Sequence, residues 1–123
     1  MEKKRILLVD DAAFMRLALR NLLIKNGFEI VEEAKDGREA IEKHSLTRPD
    51  LTIMDITMPD MDGLEALREI RKIDPEAKVI VCSAVGQKKL VLEAVRAGAA
   101  TFVLKPFSAG LLLRTIDKVL TLE

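Results

Sequence analysis

Two runs in this chain are apolar at every position, Ile6-Leu7-Leu8-Val9 and Val79-Ile80-Val81. A strand with one wet face alternates apolar and polar residues, so an unbroken short run marks a strand covered on both faces. Such sheets are mostly parallel, and the cover comes from the helices of βαβ crossovers. The rest of the chain has the matching rhythm. Residues 12–26 read as a helix, with Met15, Leu19, Leu22 and Leu23 on one face and Gly27 as its stop. Residues 28–33 alternate apolar and acidic, as an edge strand does. A helix over 37–47 follows, then a strand over 51–54 that runs into Asp55. A helix over 64–72 is closed by Asp74-Pro75, and a strand covers 79–82. A helix over 87–97 ends at Gly98, followed by a strand over 101–104 and a helix over 111–120. Five strands alternating with five helices predict an α/β domain with a doubly wound parallel sheet.

With 123 residues there is room for one domain, 1–123, and no repeat or linker interrupts it. A chain of this size buries roughly 65–70% of its unfolded surface, enough for a core without disulfides. The 20 basic and 20 acidic residues cancel. That balance offers no electrostatic footprint for nucleic acid or an anionic membrane. The single cysteine, Cys82, excludes an internal disulfide and fits a reducing compartment. Lys3, Lys4 and Arg5 precede an apolar run too short for a signal peptide, and no segment is long enough to span a bilayer. The expectation is a cytoplasmic monomer.

In open α/β sheets, sites form outside the carboxyl ends of the strands. That rule directs attention to Asp10, Asp11, Asp55, Ser83 and Lys105, each at or just after a strand end. Neighbouring carboxylates repel one another, and a hard divalent cation relieves the repulsion. Magnesium suits such a set, because it takes few carboxylates, keeps several waters and accepts a substrate phosphate. Asp10-Asp11 alone would serve equally as helix-capping acids favoured by the dipole; Asp55 at the same edge tips the reading toward a metal. Lys105 after an apolar strand is ordinarily solvated, but beside these acids its ammonium can pair with a carboxylate and then with a transferred phosphoryl oxygen. The bond before Pro106 is left open by the sequence: it could be cis, the minority form for X-Pro. Ser83 in isolation is a turn hydroxyl, yet here it could donate to a phosphoryl oxygen on Asp55. Ala84 leaves the pocket open, with Thr57 and Val85 at its entrance. His44, on a polar helix, reads as solvated, and Met54, Met58 and Met61 as packing residues. Leu111, Leu112 and Leu113 are consecutive, so a helix cannot bury all three equally.

Taken together these residues resemble the receiver domain of bacterial response regulators, in particular its chemotaxis branch. The resemblance covers essentially the whole chain. It rests on Val9-Asp10-Asp11, Met54-Asp55 followed by Met58-Pro59 and Asp62-Gly63, Cys82-Ser83-Ala84, Ala97-Gly98-Ala99 and Lys105-Pro106-Phe107, in that order. It implies a flavodoxin-like (βα)5 fold with strand order 2-1-3-4-5, an order taken from the family. It implies Asp55 as phosphoacceptor, with magnesium held by Asp11, Asp55 and the Thr57 carbonyl and by Asp10 mainly through water. Ser83 would follow the phosphoryl group and Lys105 would bind one of its oxygens. Phe102 stands at the aromatic switch position, where a Tyr is common; without its hydroxyl, any contact through that group is in doubt, and an ordinary core Phe is the plain alternative.

By the same resemblance the donor is a histidine kinase, and a phosphatase can remove the group. The target is a flagellar motor switch protein, met through helix four, strand five and helix five. The protein would act as a stand-alone phosphorylation switch and not as an enzyme, while assisting its own phosphorylation and dephosphorylation. A receiver of another phosphorelay, or one detached from a larger regulator, fits the same residues. A small aspartyl-phosphate phosphatase would place two Asp residues two apart after the first strand, whereas here the pair is adjacent and no cap domain is visible. A flavin-binding protein would want a hydroxyl-rich phosphate loop and stacking aromatics, and this chain has neither Trp nor Tyr.

Overall fold

The computed structural model describes residues 2–56, 58, 63–84 and 87–121. Strands and helices alternate along the chain as β1 (Arg5–Val9), α1 (Ala13–Lys25), β2 (Glu29–Ala34), α2 (Gly37–Thr47) and β3 (Leu51–Asp55). They continue as α3 (Gly63–Ile73), β4 (Val79–Ala84), α4 (Lys88–Arg96), β5 (Thr101–Lys105) and α5 (Ala109–Leu120). All strand pairs are parallel, and the order is β2-β1-β3-β4-β5. The doubly wound (βα)5 expectation and its 2-1-3-4-5 order therefore hold.

The unbroken apolar runs behave as the pleat requires. Leu7 and Val9 of β1 join Met54, Val79 and Val81 in a core with Ala40 of α2, Leu67 and Ile70 of α3 and Ala94 of α4. Ile6 and Leu8 point the other way, with Ile53, Ile80, Cys82 and Val103, onto Leu19 and Leu23 of α1 and Leu112 and Ile116 of α5. One sheet thus separates two cores. Of the three consecutive leucines in α5, Leu112 is buried, Leu113 half-buried and Leu111 exposed. Local chemistry sets several ends. The Asp36 side chain caps α2 by accepting from the Glu39 N–H at 2.9 Å, and Ser108 caps α5 through the Leu111 N–H at 3.0 Å. Gly98 closes α4 at φ +105°, a conformation that L side chains rarely adopt. Among the described residues no helix is long and apolar enough to cross a membrane.

One reading needs correction, and two open alternatives are decided. His44 is buried, not solvated, and its Nε2 lies 3.0 Å from Asp74 Oδ2. α2 packs against α3, and Gly37, Ala40 and His44 lie on one helical stripe that this packing covers. The Lys105-Pro106 bond is cis. Phe102 is not a core residue: β5 is an edge strand, Val103 alone of its residues is fully buried, and Phe102 and Leu104 are 41% and 42% exposed.

Candidate phosphorylation site

Sheet register assembles the site. Val9 pairs with Met54, so Asp10 and Asp55 reach the carboxyl rim side by side. Asp55 pairs with Cys82, which brings Ser83 to the next position on β4. Ala84 pairs with Lys105, which ends β5 at the same level. Residues as much as 95 positions apart in sequence meet because parallel strands end together.

Asp10, Asp11 and Asp55 can each place one carboxylate oxygen within 4.8 Å of the others. The Lys105 ammonium donates to Asp10 Oδ2 and to Asp55 Oδ2, both at 3.3 Å. Asp10 and Asp55 are buried and Asp11 is exposed, so the cluster opens to solvent on the Asp11 side. Burial by itself would depress the Lys105 pKa, but the charges of Asp55 and Asp10 outweigh it and hold the ammonium above the ordinary lysine value. A group so raised contributes stability that is complete below the ordinary value and is lost as pH climbs through the folded one.

Asp10 is further pinned. Its Oδ1 accepts from the Ala12 N–H at 2.9 Å, and its carbonyl accepts from Arg16 Nη1 at 2.5 Å. Arg16 is fixed in turn by Glu33, which also receives Arg20 at 3.1 Å. One Asp10 oxygen is thus on a backbone N–H and the other on Lys105. Three hard oxygen donors at this spacing suit a small divalent cation, so the residues present fit magnesium.

Ser83 is buried, and its hydroxyl lies 2.8 Å from Gln87 Oε1. Burial pushes the neighbouring Cys82 thiol up to about 12, which makes it a packing residue and not a nucleophile. Thr57 and Val85, expected at the entrance, lie outside the described residues, as do Pro59, Met61 and Asp62. Arg16 and Gln87 carried no expected role. The signal for Gln87 was its place four residues after Ser83, within reach across a turn.

Residues 6–117 match the response regulator receiver domain. The chain belongs to that family. The receiver is 54% identical over 116 residues to the chemotaxis protein CheY of Bacillus subtilis, covering 94% of this chain and 97% of that protein. It is 53% identical to the chemotaxis protein CheY of Thermotoga maritima over the same shares. Its fold superposes on the response regulator domain of Thermotoga maritima CheB with a TM-score of 0.91, at 36% identity and 99% coverage of both chains. A CheX-CheY-BeF3-Mg2+ complex from Borrelia burgdorferi contains a match with a TM-score of 0.92 at 36% identity, covering 97% of the receiver and 90% of that chain. The receiver is a CheY-like response regulator of two-component signalling.

Proposed function

We propose that this receiver is a stand-alone phosphorylation switch of the chemotaxis type, with Asp55 as its phosphoacceptor and Ser83 and Lys105 acting on the phosphoryl group. The reading rests on one observation above the rest: Lys105 reaches Asp55 and Asp10 at equal distance, beside an acidic trio. Asp10, Asp11, Asp55 and the Thr57 carbonyl would hold magnesium. When bound, the ion supplies positive charge that offsets the phosphoryl oxygens. An Asp55 oxygen attacks phosphorus as the bond to the donor's histidine breaks, so Asp55 gains the phosphoryl group and the imidazole regains its electron pair. Lys105 then gives up part of its contact with Asp55 to meet a phosphoryl oxygen. The transfer needs positioning more than covalent help, which suits a site of fixed carboxylates and one ammonium.

The added charge, about −1.5 to −2 on a phosphate ester at neutral pH, must be read elsewhere. Ser83 turns toward it, and Phe102 on β5 answers by leaving the solvent. The face that changes consists of α4, β5 and α5, where Val91, Phe102 and Leu104 already line an apolar groove. A flagellar motor switch protein is its target in the cytoplasm, a histidine kinase the donor, and a phosphatase the means of reset. One observation favours chemotaxis: the identity to CheY relatives, 54% and 53%. Similarity to the transcriptional regulatory protein PdtaR of Mycobacterium tuberculosis, 42% identical but with 55% of its length spanned, keeps a second reading, service in another phosphorelay. Pull-down with purified motor switch protein, with and without beryllofluoride, separates the two.

The phosphoacceptor itself is tested by intact mass after incubation with acetyl phosphate and magnesium. One phosphoryl group is expected, absent with EDTA and absent in Asp55→Ala. An unchanged mass for the wild-type protein under every condition sinks the switch.

A further inference from the structure

The Ser83 hydroxyl is already committed. Gln87 Oε1 accepts the Ala84 N–H at 3.1 Å, and a backbone N–H can only donate, so the atom at that position is the amide oxygen. The same oxygen lies 2.8 Å from Ser83 Oγ. Two oxygens at that distance need a proton between them, and the only one available is the serine's. Ser83 therefore donates to Gln87, and an alternative acceptor, the Ala84 carbonyl, lies farther off at 3.3 Å. A hydroxyl has one proton. Phosphoryl oxygens accept, so Ser83 cannot serve Gln87 and a phosphoryl group at once. Gln87 stands just ahead of α4, half-buried, on the element that flanks the Phe102 groove.

We propose that the Gln87 side chain is a latch that holds the Ser83 hydroxyl in its resting position and so sets how readily the receiver switches. The inference rests on the reading of Ser83 as the hydroxyl that follows the phosphoryl group. Activation exchanges the Ser83–Gln87 hydrogen bond for one to the phosphoryl oxygen, while Gln87 keeps the Ala84 N–H. Gln87 is a positioning residue that acts through Ser83. Weakening it lowers the cost of switching without touching Asp55, the metal-facing acids or Lys105.

The test uses the full chain and beryllofluoride with magnesium, its binding measured by calorimetry. Gln87→Met keeps the side chain's length and removes the acceptor. Beryllofluoride is expected to bind about two- to tenfold more tightly to Gln87→Met, the range that one net hydrogen bond allows. In a Ser83→Ala background the same substitution is expected to change nothing, because no hydroxyl remains to be held. Unchanged or weaker binding by Gln87→Met overturns the latch. So does a gain that survives Ser83→Ala, which would mean Gln87 acts through something other than the hydroxyl. If the wild-type protein takes up no beryllofluoride, the phosphoacceptor reading fails and the latch with it; if only the double-mutant cycle fails, Asp55 keeps its role.

Discussion

Gly63 opens α3 with its N–H on the Ile56 carbonyl at 3.1 Å, and a Cβ there would stand 2.4 Å from the Asp55 carbonyl oxygen. No real side chain tolerates that distance, so Gly63→Ala must move the backbone that carries Asp55. Displacing a reacting group by even 1 Å costs up to about 100-fold in rate. Phosphorylation of Gly63→Ala by acetyl phosphate is expected to slow by at least about tenfold, with the far-ultraviolet circular dichroism of the folded protein retained. A wild-type rate would show that this close approach does nothing for the site. Much of the residue-scale chemistry was legible beforehand. Asp10, Asp11, Asp55 and Lys105 sit at strand ends, and a parallel sheet has one carboxyl rim, so their meeting follows from the element boundaries. Gln87 was not legible in that way. Its partnership with Ser83 depends on the path of a turn, which residue types alone do not specify. The cis bond before Pro106 was equally hidden, since nothing in Lys105-Pro106 distinguishes the two isomers.

Between elements, His44 and Asp74 join α2 to the turn after α3. Burial by itself would raise the Asp74 carboxyl, but hydrogen bonds from His44 and the Glu76 N–H, with the Arg48 charge, outweigh it and hold the carboxyl below its ordinary 3.8. A carboxyl depressed in this way contributes stability above its unfolded pKa and loses it as pH falls through the folded one. Asp74→Ala removes the acceptor and leaves a buried imidazole without its partner. The substitution is expected to cost about 1–3 kcal/mol at pH 7 by urea unfolding. The gap from wild type should persist through pH 5 and narrow only below about pH 4; a gap already gone at pH 5 would mean that a group other than the Asp74 carboxyl governs it. The misreading of His44 has a plain cause. Helix α2 looks polar when averaged over all its residues, but Gly37, Ala40 and His44 recur at helical spacing, and small residues on a stripe mark close packing. For Phe102 the plain alternative of a core ring fails, because β5 lies at the border of the sheet. On an edge strand the pleat puts only every second residue inside, and Val103 took that place.

Across the whole molecule, two cores share one sheet. Leu7 and Leu8 are neighbours in β1, yet one belongs to the α2, α3 and α4 side and the other to the α1 and α5 side. Both are fully buried. Leu7→Ala and Leu8→Ala are each expected to destabilise by about 2–5 kcal/mol, with one unfolding transition and an unchanged denaturant slope in both, because β1 welds the two layers into a single cooperative unit. A biphasic melt in either variant would mean that the layers unfold separately. This two-sided architecture was the most legible feature of all: an apolar run without polar interruption has few other places to go. Strand β5 carries a further consequence. Lys105 at its end touches the carboxylates, and Phe102, three residues back, stands at the outer border, roughly 10 Å away along a rod that rises about 3.3 Å per residue. In the proposed switch, the strand that ends at the carboxylates would also carry the exposed ring, so the movement of Ser83 would have a short, stiff neighbour to act on. A partner could then read the outer border while the chemistry stays sheltered at the rim.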